Sequence, residues 1–119
     1  MEKSIIEHMA CITEKMRFEN TNSRTIRTGI DLSPENLERA EEDIAAIRSA
    51  LGMNTRQVLI MTAVLQYSYH SSIDSDDIAC FLGLNYIQFL MWSDDLNELK
   101  HRGYLFLKRD GDVVLRIQI

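Results

Sequence analysis

The sequence over residues 73–103 reads IDSDDIACFLGLNYIQFLMWSDDLNELKHRG, and it contains the start and stop signals of two consecutive helices. The first helix begins at Asp74, whose carboxylate suits the N-cap position, and Asp77 stands at the third helical position. Gly83 stops this helix early, because glycine readily adopts the left-handed conformation that follows a helix. The pattern therefore predicts a short helix over residues 74–82.

The second helix begins after one further residue, with the same capping pattern. Asn85 stands at the N-cap position and Gln88 follows three residues later, so each side chain can bond the other residue's backbone N–H. This helix is predicted to run to about Arg102, where Gly103 stops it. Its predicted inward-facing residues are Phe89, Trp92, Leu96 and Leu99. Two helices joined through a tight glycine turn, the second longer, are typical of a helix-turn-helix.

A β-hairpin is predicted after this helix, over residues 104–119. Asp110-Gly111 is a preferred two-residue type I′ turn, and it sets Arg109 opposite Asp112. The residues predicted to face the helices are Tyr104, Phe106, Val113, Leu115 and Ile117. A helix-turn-helix followed by a hairpin is the order of a winged helix-turn-helix, so the expected fold is mainly α with a small β-hairpin, over about Asn54 to Ile119.

Two further helices are predicted upstream of residue 73. Asn54 and Gln57 form a capping box before a helix that is apolar nearly all round, which indicates the buried first helix of a three-helix core over residues 54–103. Ser33-Pro34 starts a leading helix over residues 34–53. Its charged side is interpreted as a solvated surface and consists of Glu38, Arg39, Glu41, Glu42 and Asp43.

Residues 1–33 are predicted to form an N-terminal amphipathic helix followed by a polar linker. Ile5, Met9, Ile12 and Met16 recur at helical spacing and share one side of that helix. Such an apolar stripe must be covered either by the rest of the chain or by a second copy. The second option is favoured, so a homodimer through this helix is expected.

Composition and charge restrict the function classes. Residues 1–53 hold 7 Lys/Arg against 10 Asp/Glu and residues 54–119 hold 6 against 8, so both halves are mildly acidic, which argues against binding to a phosphate backbone. The longest apolar run, Val58–Val64, is far shorter than the ~20 residues of a membrane span. The acidic N-terminus lacks a signal-peptide cleavage pattern, and the two cysteines have no CxxC spacing. A cytoplasmic protein without a membrane partner is expected.

No group of residues has the pattern of a catalytic, cofactor or metal site. His8 and Cys11 share a helix side but supply only two ligands, too few for structural zinc. The acids Asp74, Asp76 and Asp77 lack the glycine and the bidentate glutamate of a calcium loop. Because no nucleophile–base pair is evident either, the chain is predicted not to be an enzyme and to need no cofactor.

The residues that could contact DNA lie on the third core helix and on the wing. Asn85, Tyr86 and Gln88 occupy the first turns of that helix, from which a recognition helix reads base edges. The wing supplies the cations for phosphate contacts, and these are Lys108, Arg109 and Arg116. A winged-helix DNA-binding transcriptional regulator is therefore the alternative function.

The acidic residues of the same helix favour a protein partner instead. Asp94, Asp95 and Glu98 would repel a DNA backbone, and no Lys or Arg precedes Lys100 in this helix. We assign these three acids as a candidate protein-binding face. A non-catalytic interaction module is the favoured function, and nucleic-acid binding is the less favoured one.

Three stretches of the sequence resemble the N-terminal winged-helix region of a group of bacterial AAA-family ATPases. They are LGMNTRQVLIMTAVLQYS, IDSDDIACFLGL and DDLNELKHRGYL, and the resemblance covers about residues 34–119, the predicted winged-helix domain. It implies a regulatory or partner-binding region that precedes an ATPase core, so a chain that continues past Ile119 is expected. These residues contain no GxxxxGK[ST] phosphate loop and hence no ATP site of that kind.

Overall fold

The computed structural model describes residues 3–17, 29–66, 75–107 and 113–115, and these residues are mainly helical. In chain order the elements are α1 (Ile5–Lys15), α2 (Pro34–Arg39), α3 (Glu41–Leu51), α4 (Thr55–Gln66), α5 (Ser75–Leu82), α6 (Tyr86–Leu90), α7 (Ser93–His101), β1 (Leu105–Leu107) and β2 (Val113–Leu115). One hydrophobic core joins α1 with the helices that follow it.

Helix α4 forms the centre of that core. Every residue from Val58 to Val64 is buried, and α4 packs against α1, α3, α5 and α7. The predicted capping box is present: the Gln57 N–H donates to Asn54 Oδ1 at 2.9 Å, and the Asn54 N–H donates to Gln57 Oε1 at 3.0 Å. Thr62 satisfies its buried hydroxyl by donating to the Val58 carbonyl at 2.8 Å. The prediction of a central buried helix is confirmed.

Helix α1 packs mainly on α3 and belongs to the same core. Its side chains Met9, Ile12 and Met16 are buried there, and the half-buried Ile5 packs against the core as well. The chain then returns to the end of α1, where the Asp31 N–H donates to the Met16 carbonyl at 2.8 Å. The apolar stripe is thus covered by its own chain, so α1 does not offer the surface that the predicted homodimer requires.

Residues 29–31 belong to the predicted linker that follows α1. Their backbone bonds hold them between the end of α1 and the end of α5. The Ile30 N–H donates to the Phe81 carbonyl at 2.8 Å, and Ile30 also forms an isolated antiparallel bridge with Arg17. A Cβ atom on Gly29 would lie 2.4 Å from the Phe81 oxygen. Because only glycine lacks that atom, Gly29 permits the close approach of the two backbones.

Two helices that were predicted to be continuous are each divided. The leading helix over residues 34–53 breaks at Ala40, between α2 and α3, and the third core helix breaks at Met91–Trp92, between α6 and α7. The N–H groups of the second break bond to carbonyls three residues back, and the Ser93 hydroxyl donates to the Leu90 carbonyl. Acidic residues directly follow each break, where negative charge stabilises the start of a new helix.

The predicted short helix and its glycine stop are confirmed. Helix α5 ends at Leu82, and Gly83 follows with a φ of 71°, in the left-handed region. The Leu84 N–H donates to the Ala79 carbonyl at 2.9 Å and closes the turn into α6. The predicted N-cap residue, Asp74, lies outside the described residues.

Helix α7 packs on α4 and carries Leu96 and Leu99 into the core, as predicted. Trp92, also predicted to face inward, is only half-buried. The Arg56 guanidinium lies over its ring, 5.3 Å from the ring centroid. The tryptophan therefore lies at the edge of the core, at the junction of α4 and α7.

Strands β1 and β2 pair antiparallel, in a register one residue away from the predicted one. Leu107 lies opposite Val113, whereas a two-residue turn at Asp110-Gly111 would place Leu107 opposite Val114. Leu105 is buried, although the predicted inward face began at Tyr104, which is half-buried. The predicted turn lies outside the described residues, as do the side chains of Phe106, Val113, Leu115 and Ile117.

Candidate functional site

Helix α6 presents four large apolar side chains to solvent. Tyr86, Ile87, Leu90 and Met91 each expose between 50% and 72% of their surface. Tyr86 and Leu90 are four residues apart, as are Ile87 and Met91, so the four side chains share one side of the helix. Single exposed apolar residues are ordinary on protein surfaces, but four on one helix side form a patch of the kind found at interaction sites. These four residues are called the α6 apolar face below.

The sequence fixes the position of this face through a cap and one buried anchor. The Gln88 N–H donates to Asn85 Oδ1 at 2.8 Å and the Asn85 N–H donates to Gln88 Oε1 at 2.9 Å, which confirms the predicted capping box. On the opposite side of α6, Phe89 is buried in the core, and α6 packs against α5. The short helix is therefore held from behind, and its apolar face points outward.

The cap also affects the residues predicted to read bases. The side-chain oxygens of Asn85 and Gln88 accept hydrogen bonds from the backbone of α6 itself, which leaves fewer polar atoms for a base edge. Tyr86 belongs to the exposed apolar face. The wing cations predicted to contact phosphates, Lys108, Arg109 and Arg116, lie outside the described residues.

The three acids predicted to form a protein-binding face have different surroundings. Asp94 is exposed at the start of α7. Asp95 accepts a hydrogen bond from Asn54 Nδ2 at 2.6 Å, and Glu98 accepts one from Gln57 Nε2 at 2.7 Å. Two of the three acids thus attach α7 to the start of α4. Asp94 and Glu98 are exposed, as an open acidic face requires, whereas Asp95 is half-buried.

Arg56 lies at the junction between the α6 apolar face and these acids. Its Nη1 atom donates to the Met91 carbonyl at 3.1 Å and lies 3.8 Å from Asp95 Oδ2. The same guanidinium covers Trp92. The carbonyl of Met91 would bond within the helix if α6 and α7 were continuous, so Arg56 satisfies a polar group that the break releases. This role of Arg56 is not evident from the sequence alone.

A second polar cluster surrounds Asp43, and it corrects the prediction of a uniformly solvated charged side on the leading helix. The other four charged residues of that side are exposed, but the Asp43 side chain is only 2% exposed. Its carboxylate accepts hydrogen bonds from His8 Nδ1 at 2.8 Å and from Lys15 Nζ at 2.6 Å, and Lys3 Nζ lies 4.0 Å away. Because an ionised carboxylate can only accept, His8 carries its proton on Nδ1 in this contact.

The cluster around Asp43 joins α1 to α3. Burial alone would raise the pKa of the Asp43 carboxyl, but the hydrogen bonds from Lys15 and His8, together with the Lys15 charge, lower this pKa below its ordinary value. The hydrogen bond to Asp43 raises the pKa of Lys15. These contacts stabilise the charged forms of the pair and explain how a carboxylate is accommodated between two helices. The cluster holds α1 in place.

The remaining candidate features are a metal site, the two thiols and a membrane-spanning helix. Within residues 3–17, 29–66, 75–107 and 113–115, no group of three or more His, Cys, Asp or Glu side chains could hold a metal ion. Cys11 is half-buried and Cys80 is exposed, and neither forms a disulfide within the described residues. Among the helices described, none combines the length and hydropathy needed to span a membrane.

Comparisons with protein-family models, with curated proteins and with solved structures give no match to this chain. The resemblance to the winged-helix region of AAA-family ATPases therefore rests on the three sequence stretches quoted above and stays a prediction.

The α6 apolar face was not predicted, although the sequence contains a signal for it. The run from Tyr86 to Trp92 is apolar at every position except Gln88, and a helix this short can bury only one side. Once Phe89 and Trp92 are assigned inward, the remaining apolar residues must face solvent or a partner. That surplus identifies Tyr86, Ile87, Leu90 and Met91 without a structure.

Proposed function

We propose that this chain is a non-catalytic winged-helix interaction module, the N-terminal regulatory or partner-binding part of a larger AAA-family ATPase. The α6 apolar face is the observation that supports it most. In a winged helix-turn-helix this face stands where a recognition helix would carry its base-reading side chains. Here those positions offer large apolar groups, which gain from contact with protein and not from contact with phosphate.

The charge around the face also favours protein over DNA. Residues 84–99 contain the three acids Asp94, Asp95 and Glu98 and no Lys or Arg. A duplex carries one phosphate charge per roughly 1.7 Å of its axis, so a helix of this composition would be repelled from the groove. The break at Met91–Trp92 also shortens α6 to about one and a half turns, less helix than a major groove accommodates.

The alternative function is a winged-helix transcriptional regulator that contacts DNA mainly through its wing. The basic residues Lys108, Arg109 and Arg116 favour it, because three cations close together in sequence can neutralise phosphates. Three phosphate contacts give a shallow salt dependence, with a slope of about −2.7 in log K against log salt. Binding of that kind is non-specific unless Tyr86 or Gln88 also reads bases.

Fluorescence anisotropy with labelled duplexes separates these two functions. Random and genomic duplexes are titrated with the protein at several salt concentrations. We expect only non-specific binding, with a Kd weaker than about 10⁻⁶ M at physiological salt. A sequence-selective complex of nanomolar affinity that is weakened by Tyr86→Ala or Gln88→Ala would contradict the proposal and favour the regulator.

A further inference from the structure

We propose that the α6 apolar face binds an amphipathic helix of a protein partner whose apolar side is flanked by Lys or Arg. This inference rests on the proposed function, since it names the chemistry of the partner for the same surface. It follows from three properties of the face: its exposed apolar side chains, the charge around it and the use of its backbone groups within the helix.

The side chains of the face suit a helix because α6 offers no backbone for pairing. The N–H groups of Gln88 and Phe89 and the carbonyls of Gln88, Phe89 and Leu90 are bonded in the cap, in the helix and in the turn that follows. A partner strand needs an unpaired sheet edge, which a helix side does not provide. Contact must therefore be made by side chains alone, and an amphipathic helix presents apolar side chains at matching i, i+4 spacing.

The charge next to the face indicates a cationic partner. Asp94 is exposed three residues after Met91, and Asp76 is exposed on α5, the helix against which α6 packs. Among the described residues, Glu98 bonds the neutral amide of Gln57, and this contact does not offset its negative charge. Among the described residues, the cation in contact with this region is Arg56, which lies beside Asp95 and over Trp92. In the described part of the chain, the border of the apolar face on α7 therefore carries Asp94, Asp95 and Glu98 against the single charge of Arg56 and is net acidic. Charges of this kind act over ~8 Å at physiological salt.

The same border argues against the other occupants of an apolar face. In a two-fold dimer each patch meets its own copy, so Asp94 of one chain would approach the acidic border of the other. Nucleic acid and anionic lipid surfaces would be repelled for the same reason. A partner with apolar side chains and flanking Lys or Arg removes these repulsions and replaces them with attraction.

The test uses two labelled helical peptides of about 14 residues, or four helical turns. Both carry leucine at the same positions of one side, and they differ only in having lysine or glutamate at the others. Fluorescence anisotropy measures the binding of each to the full chain. We expect the lysine peptide to bind at least about tenfold more tightly than the glutamate peptide, with the difference shrinking as salt is added.

Three variants locate the binding. Ile87→Ser is expected to lower the affinity for the lysine peptide at least about tenfold, because a large apolar contact is lost. Ile6→Ser is the matched control, since Ile6 is an isoleucine on α1 that is 51% exposed and lies outside the face, and it should change nothing. Asp94→Asn should lower the affinity for the lysine peptide and should not lower the affinity for the glutamate peptide. Circular dichroism checks that each variant retains its helices.

The outcomes separate this inference from the proposed function. If the two peptides bind equally well and Ile87→Ser abolishes the binding of both, the proposal of a cationic partner is wrong. The proposal that the face binds protein would then still stand. Self-association by sedimentation that is lost in Ile87→Ser would make a second copy the occupant and overturn the proposal of a cationic partner as well. Peptide binding that is equally strong in Ile87→Ser, or absent altogether, removes the inference. A specific DNA duplex that binds the chain without peptide at nanomolar affinity, and whose binding is weakened by Ile87→Ser, would contradict both proposals.

Discussion

Replacing Asp43 by alanine tests whether the polar cluster between α1 and α3 stabilises the fold. Asp43 is almost fully buried and accepts hydrogen bonds from His8 and Lys15, at 2.8 Å and 2.6 Å. A hydrogen bond to a charged group contributes about 1.5–3 kcal/mol. The Lys15 side chain is 35% exposed, so solvent screens its bond to Asp43. The contribution of this bond to stability is therefore that of a surface ion pair, roughly 0–1 kcal/mol. The His8 side chain is 19% exposed and keeps more of its contribution.

Taken together, Asp43→Ala should lower the free energy of unfolding by about 2–3 kcal/mol at neutral pH. Urea denaturation followed by far-ultraviolet circular dichroism measures the change. Glu42→Ala is the matched control, because Glu42 is the adjacent acid of the same helix and is exposed. Its loss should stay within about 0.5 kcal/mol. Equal losses in the two variants would refute the assignment of Asp43 as a buried structural carboxylate.

The pH dependence of the same variant follows from the lowered pKa of Asp43. A carboxyl whose pKa is lower in the folded state stabilises the fold above its ordinary pKa of about 3.9, and this stabilisation is lost as pH falls through the folded value. The difference in stability between the natural chain and Asp43→Ala should therefore be full at neutral pH and shrink below about pH 4. A difference that grows on acidification would contradict the lowered pKa.

Three further predictions concern packing. Leu99→Ala should lower the free energy of unfolding by roughly 2–5 kcal/mol in a urea melt, because Leu99 is fully buried. Leu90→Ala, the same change on the exposed face, should lower it by less than about 0.5 kcal/mol. Similar losses in the two variants would mean that α7 does not pack as described. Gly29→Ala should destabilise by roughly 1–3 kcal/mol through the clash with the Phe81 carbonyl, and a neutral result would contradict that contact. Sedimentation at high micromolar concentration should show a monomer, because the α1 stripe is buried. A dimer that Ile12→Ser dissociates while the helices stay folded would instead support the homodimer through α1.

Local signals predicted most helix boundaries and the packing of the central helix. The capping boxes at Asn54 and Asn85 and the stop at Gly83 depend on residues within one helical turn, so the sequence alone contains the information. The break at Met91–Trp92 was missed although Ser93 and the acids behind it are typical of a helix start. The apolar residues from Phe89 to Leu99 keep their helical spacing across the break, and this spacing predicts one continuous helix.

The features that the sequence could not reveal depend on contacts between distant segments. Asp43 resembles its exposed acidic neighbours, and only the packing of α1, which brings His8 and Lys15 to it, makes it a buried carboxylate. The same packing covers the apolar stripe of α1, and no periodicity can distinguish burial within a chain from burial in a dimer. For Asp95, the partner Asn54 is 41 residues away in sequence. The three acids of α7 look alike in the sequence, although Asp95 is half-buried and both Asp95 and Glu98 bond side chains at the start of α4.

The central claim, that the α6 apolar face binds protein, is tested most directly by amide correlation spectra of the isotope-labelled full chain. The lysine helical peptide and a random DNA duplex are titrated separately into the same buffer at physiological salt. We predict that the peptide shifts the amide signals of Ile87, Leu90 and Met91 most strongly, and that the duplex leaves them in place. A duplex that shifts these three signals at submicromolar concentration, with a peptide that leaves them unmoved, would contradict the account.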